Sequence, residues 1–113
     1  MEEWKSKIKL NIDYGGLSRG EYGIHYLPDD IDELVTLMAD ECDNPKPTIR
    51  VGGVDRPRDE FRRRVNRIDT MRIMRILDTL AHPDPDHPIH NRRAYLLTML
   101  YNHHTNNPTP EEY

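Results

Sequence analysis

The sequence predicts an all-α fold, a compact bundle of about five helices with one short extended segment near residues 48–51. Three observations carry that expectation. Apolar residues recur at i, i+3, i+4 and i+7 in several separate stretches, the spacing that lines one face of a helix. Those stretches are bounded by capping residues, prolines and paired glycines at helix-like intervals. Only Thr48-Ile49-Arg50-Val51 is rich in β-branched residues. With 113 residues, 35% of them hydrophobic and 32% charged, the chain supports a single core. A mean hydropathy of −0.88 would suit a disordered chain. The concentration of the apolar residues on a few stripes is what makes a core feasible.

Glu2–Ile12 reads as a short amphipathic helix, with Trp4, Ile8 and Ile12 spaced by four and Leu10 beside them. Asp13-Tyr14-Gly15-Gly16 is expected to stop it. Leu17–Leu27 is expected to be a loop whose tyrosines, Tyr22 and Tyr26, pack on the core. The clearest helix covers residues 29–42, where Ile31, Leu34, Val35, Met38 and Cys42 form one stripe. Asp30 and Glu33 suit its first turn, where free N–H groups favour carboxylates. Asn44-Pro45-Lys46-Pro47 ends it. Thr48–Val51, bounded by Gly52-Gly53, forms an extended segment or small hairpin. Pro57 suits the first position of the next helix, whose apolar stripe is Phe61, Val65 and Ile68. Asp69 and Thr70 offer a new cap. The helix that follows, to about Ala81, buries Ile73, Ile76, Leu77 and Leu80. The prolines of His82–Pro88 force a loop. The last helix covers about 89–102 and packs Ala94, Leu97 and Tyr101, with Leu96 and Leu100 widening the face. This places the domain at residues 1–104 and a flexible tail at 105–113.

The net charge of −4 conceals segregation. From Lys46 to Arg75 there are ten basic and four acidic residues, a net of +6, which leaves −10 for the rest. Acids concentrate at Asp29, Asp30, Asp32, Glu33, Asp40, Glu41 and Asp43. Such a dipolar domain can dock an acidic partner or associate head to tail; alternatively, the basic helix folds back on the acidic one. The candidate partner-binding residues are Arg58, Arg62, Arg63, Arg67, Arg72 and Arg75. The same arginines could lie along phosphates, so direct DNA contact is an alternative. The surrounding negative charge opposes it, and no aromatic is interleaved for base stacking. A small oligomerisation domain is a third reading.

Other chemistry finds little support. No apolar run approaches the roughly 18 residues of a membrane span, and the charged first ten residues do not resemble a signal peptide. A lone cysteine, Cys42, cannot form an internal disulfide, which favours a cytoplasmic setting. Flanked by Glu41 and Asp43, it lacks the electropositive surroundings of a reactive thiol. His82, Asp84, Asp86, His87 and His90 are weak metal candidates, because no two of the histidines have the helical i, i+4 spacing that fixes two imidazoles on one ion. Gly52-Gly53 lacks the lysine and glycine spacing of a phosphate cradle. No nucleophile–base–orienter set is legible, so neither an enzyme nor a cofactor is expected.

Several segments in order carry a family resemblance: Lys7-Ile8-Lys9-Leu10-Asn11-Ile12-Asp13-Tyr14, Asp32-Glu33-Leu34-Val35-Thr36-Leu37-Met38 and Thr48-Ile49-Arg50-Val51-Gly52-Gly53. A Pro57-initiated helix, Ile73 through Leu77-Asp78, and Tyr95-Leu96-Leu97-Thr98-Met99-Leu100-Tyr101-Asn102 follow. Over residues 4–102 the chain resembles the C-terminal domain of replication initiator protein A from plasmids and mobile elements of Firmicutes. The resemblance implies a helical domain similar to DnaD-type domains. It also implies that the domain engages host replication proteins, such as primase or the helicase-loading machinery. An N-terminal winged-helix domain of the longer family members binds origin DNA. The chain departs from that pattern at Arg72 and Arg75, where His and Tyr are usual, and in its longer His-Pro-Asp loop.

Overall fold

In a computed structural model, which describes residues 2–82, 85–86 and 89–101, the helices follow the order that the periodicity predicts. Helix α1 spans Glu2–Ile12, α2 Tyr14–Arg19, α3 Pro28–Asp43, α4 Arg58–Asn66, α5 Thr70–Ala81 and α6 Arg92–Tyr101. Strands β1 (Thr48–Val51) and β2 (Val54–Pro57) lie between α3 and α4. The described chain is therefore mostly helical and not purely all-α. The expected tail, 105–113, lies outside the described residues.

Asp13–Gly16 turns a corner instead of ending the helical region. Asp13 adopts the left-handed conformation at φ 54°, and its carboxylate accepts from Gly16 N at 3.2 Å and from Tyr22 Oη at 2.6 Å. A carboxylate so placed caps a new helix at once, so Leu17 is buried in α2 and not in a loop. A Cβ on Gly16 would lie 2.3 Å from Asp13 Oδ2, so this close approach requires glycine. Of the two loop tyrosines, Tyr26 is buried and donates to Asp78 Oδ1 at 2.8 Å, whereas Tyr22 stays 41% exposed.

Pro28 opens α3 one residue earlier than expected, at a position where a missing N–H costs nothing. The predicted stripe is buried, together with Leu37 and Ala39, and α1, α4 and α5 pack against this helix. The Gly52-Gly53 turn, with φ of 59° and 77°, closes a two-residue hairpin in which Val51 faces Val54 and Thr48 faces Pro57. Positive φ at both central residues matches the twist of an antiparallel pair. β1 buries Ile49 and Val51, while β2 is exposed along its whole length. Pro57 consequently ends an edge strand and caps α4 from outside, one residue before the helix begins.

Phe61, Val65 and Ile68 are buried as predicted, and Asp69 accepts from Arg72 N at 2.9 Å to cap α5. α6 begins at Arg92, with Asn91 Oδ1 accepting from Ala94 N at 3.1 Å. Every α6 residue from Tyr95 to Tyr101 is buried, so after its exposed first turn this helix runs through the core rather than along its surface. α4 and β1 pack against it.

Candidate interaction surface

The arginine-rich segment does not present one continuous basic face. Its members divide according to the direction in which each leaves its helix. Arg58, three residues before Phe61 and seven before Val65, lies on the apolar side of α4 and is 3% exposed. Its guanidinium donates to the carbonyl oxygens of Lys46 and Glu41, each at 2.7 Å, and of Thr48 at 2.8 Å, with Glu41 Oε2 at 3.3 Å. Arg62, one turn on, donates to the carbonyls of Cys42 at 2.8 Å and Asn44 at 2.7 Å. The last turn of α3 has no basic residue of its own, so its orphan carbonyls are satisfied by two arginines from α4.

A second pair acts on α6. Arg64 donates to Tyr101 O at 2.6 Å and lies 4.1 Å from the Tyr101 ring centroid, which Arg56 also approaches at 5.7 Å. Arg72 donates through Nη2 to Met99 O. The basic segment thus folds back on the rest of the chain, but largely onto carbonyls and less onto carboxylates.

This division corrects the expected partner-binding set. Arg58 and Arg72 are buried, and half-buried Arg62 is held by backbone. Arg63, Arg67 and Arg75 remain exposed. Arg63 pairs with Glu60 at 2.6 Å. Arg67 donates only to Arg63 O, at 3.4 Å, and no carboxylate among the described residues reaches Arg67 or Arg75 within salt-bridge distance. Between them Met71, one helical turn before Arg75, is 67% exposed. Met71 and Arg75 thus share one face of α5, and Arg67 precedes them at the end of α4; both residue types are enriched at protein interfaces.

Arg72 differs sharply from Arg58 despite similar burial. Its Nε and Nη1 have no hydrogen-bond partner, and burial together with the charge of Arg75 holds its guanidinium below the usual range. A buried cation with one acceptor is costly, and an apolar side chain of similar length removes that cost. Arg72→Met is expected to raise the urea midpoint, stabilising the fold by about 1–2 kcal/mol. A lowered midpoint would contradict this account.

The remaining candidates are readily placed. Burial pushes the Cys42 thiol up to about 12, leaving it protonated and inert near neutral pH. His82 lies at the end of α5, with Nδ1 3.0 Å from Asp78 O, and Asp86 and His90 are exposed. Asp84 and His87 lie outside the described residues. Among the described residues no three His, Cys, Asp or Glu side chains converge to hold a metal, and no helix is long and apolar enough to cross a membrane.

Elsewhere, α3 and α6 border a groove of about 500 Å³. Arg92 bridges it to Glu33 through two 2.8 Å bonds, and Arg93 reaches Glu41 at 3.0 Å. The hydrogen bonds from Arg92, and with them its charge, hold the Glu33 carboxyl below the usual carboxylate range.

Fold and surface together define a small, mostly helical domain with an internal arginine clasp and an exposed basic edge. The chain belongs to a family of unknown function, DUF6017, whose model matches residues 1–109. No curated protein and no solved structure matches it.

Proposed function

We propose that this domain is a non-catalytic protein-interaction module that docks an acidic partner on the edge formed by Arg67, Met71 and Arg75. The observation that carries the reading is that Arg67 and Arg75 are exposed and meet no carboxylate, with the exposed Met71 one turn from Arg75, in a chain whose other arginines are largely spent on internal acceptors. Burying a charge at an interface is favourable only when the partner supplies its counter-ion, so such an edge selects acidic surfaces. The resemblance to the C-terminal domain of replication initiator protein A supplies the proposed setting. There the domain recruits host replication proteins, primase or the helicase-loading machinery, to an origin held by an N-terminal winged-helix domain in the cytoplasm.

The test is the double reversal Arg67→Glu/Arg75→Glu, assayed against purified primase and helicase loader. Both side chains are exposed, so the circular dichroism spectrum is expected to stay unchanged while affinity falls about tenfold or more. Retained binding would remove the edge from the interface. A salt-titrated gel shift with single- and double-stranded DNA separates the nucleic-acid reading, because phosphate contacts weaken steeply with salt.

A further inference from the structure

We infer that the exposed face of α5 docks a second copy of this chain, whose own α5 packs antiparallel to the first about a two-fold axis. This goes beyond the proposed function, with which it shares Met71 and Arg75. Met71, Arg75, Asp78 and His82 stand at i, i+4, i+7 and i+11, so they form one stripe along α5 and the residue that caps its end. All four are exposed, and the stripe lies on the side of the helix away from the buried Ile73 and Ile76. One helix therefore carries the whole pattern, over about 16 Å of its length.

Both charges of the stripe are uncompensated within the molecule. Arg75 meets no carboxylate among the described residues, and it repels the buried Arg72. Asp78 accepts the neutral hydroxyl of Tyr26 at 2.8 Å and pairs with no cation among the described residues. The order of these charges decides how a second α5 can lie. A parallel neighbour in register would set Arg75 on Arg75 and Asp78 on Asp78, like against like. An antiparallel neighbour, related by a two-fold axis midway between Arg75 and Asp78, sets each Arg75 against Asp78 of the second copy. The same axis lays Met71, 67% exposed, against His82 of the second copy at each end of the stripe. The patch meets itself, so the contact is isologous and closes as a dimer. One helix on one helix buries much less than the roughly 800 Å² per partner of a stable interface, and exposed ion pairs are individually weak. The expected Kd is therefore about 0.1–1 mM, rising with salt.

Sedimentation equilibrium of the 113-residue chain tests this, at up to about 1 mM protein in about 30 mM and then about 500 mM salt. At low salt the average mass is expected to rise above 13.4 kDa with concentration, to reach no more than twice that value, and to fall back at high salt. Arg75→Glu sets carboxylate against carboxylate, and Asp78→Arg sets guanidinium against guanidinium. Each alone is expected to weaken the dimer about tenfold or more. Mixed in equal amounts they are expected to form a heterodimer, because each supplies the charge that the other lacks. Asp78 also holds the Tyr26 hydroxyl, so a thermal melt checks that Asp78→Arg folds. If it does not, Arg75→Glu decides alone: retained association overturns the inference and lost association supports it. A monomeric wild type, growth past the dimer, association indifferent to salt, or a mixture of folded variants that stays monomeric would also overturn it. A monomeric wild type that binds primase or the helicase loader through Arg67 and Arg75 removes the dimer and leaves the proposed function standing. A dimer lost in Arg75→Glu, beside partner binding unmoved by Arg67→Glu/Arg75→Glu, does the reverse.

Discussion

Replacing Arg58 with alanine is expected to destabilise the domain by about 3–5 kcal/mol, the cost of removing one side of a buried charged network. Four acceptors depend on this guanidinium: the carbonyls of Glu41, Lys46 and Thr48, and the Glu41 carboxylate. Without it, the end of α3, the proline-rich connection and the start of β1 lose their common tie. Carbonyls in a packed region that water reaches poorly are left unpaired. Domains of this size are stable by only about 5–15 kcal/mol, so the midpoint of thermal unfolding should fall by roughly 10–20 °C. Arg58→Lys should recover only part of the loss, because an ammonium cannot match three carbonyls in the plane of the fork. Thermal melts of the two variants check both statements; an alanine variant that melts with the wild type would show that the clasp is dispensable. The contrast with Arg72 is the physical point. Two arginines of nearly equal burial are expected to shift stability in opposite directions, because one meets four acceptors and the other meets one.

An alanine scan along α6 is expected to be costly at consecutive positions, without helical periodicity. Leu96, Leu97, Met99 and Leu100 are 1%, 7%, 0% and 4% exposed, so each truncation opens a cavity in the core. The expected loss is about 2–5 kcal/mol apiece. On α3 the exposed Asp40 should be replaceable at little cost, as is usual for a surface position. Urea midpoints would show the difference directly. A scan in which every third or fourth α6 residue is silent would mean that one side of this helix faces solvent.

Much of this architecture was legible in residue spacing. The stripes on α1, α3, α4 and α5 emerge because an amphipathic helix writes its buried face into the sequence with a period of 3.6. The Asp69 cap emerges because a carboxylate before a helix has a local partner. α2 escaped notice because its start depends on Asp13 taking a left-handed conformation and on a bond from Tyr22, nine residues away. β2 was foreseen only as one side of a small hairpin left open beside a lone extended segment, because it is exposed throughout and held to β1 by backbone, which leaves no pattern in the residues. The burial of Arg58 did leave a trace, since it continues the stripe of Phe61 and Val65 by helical spacing. A count of charges hides that trace.

What the sequence by itself determined is where most of the helices lie, which faces they bury, and that positive charge concentrates between residues 46 and 75. Those properties are local, set by neighbours within one or two turns. Only the tertiary structure decided how the arginines divide. Arg58, Arg62 and Arg64 secure the ends of two other helices, Arg72 is buried with a single acceptor, and Arg67 and Arg75 remain at the surface. The physical reason is reach. A guanidinium sits at the end of a long side chain, and its partner is whatever carbonyl or carboxylate the packing of distant elements brings within hydrogen-bond distance.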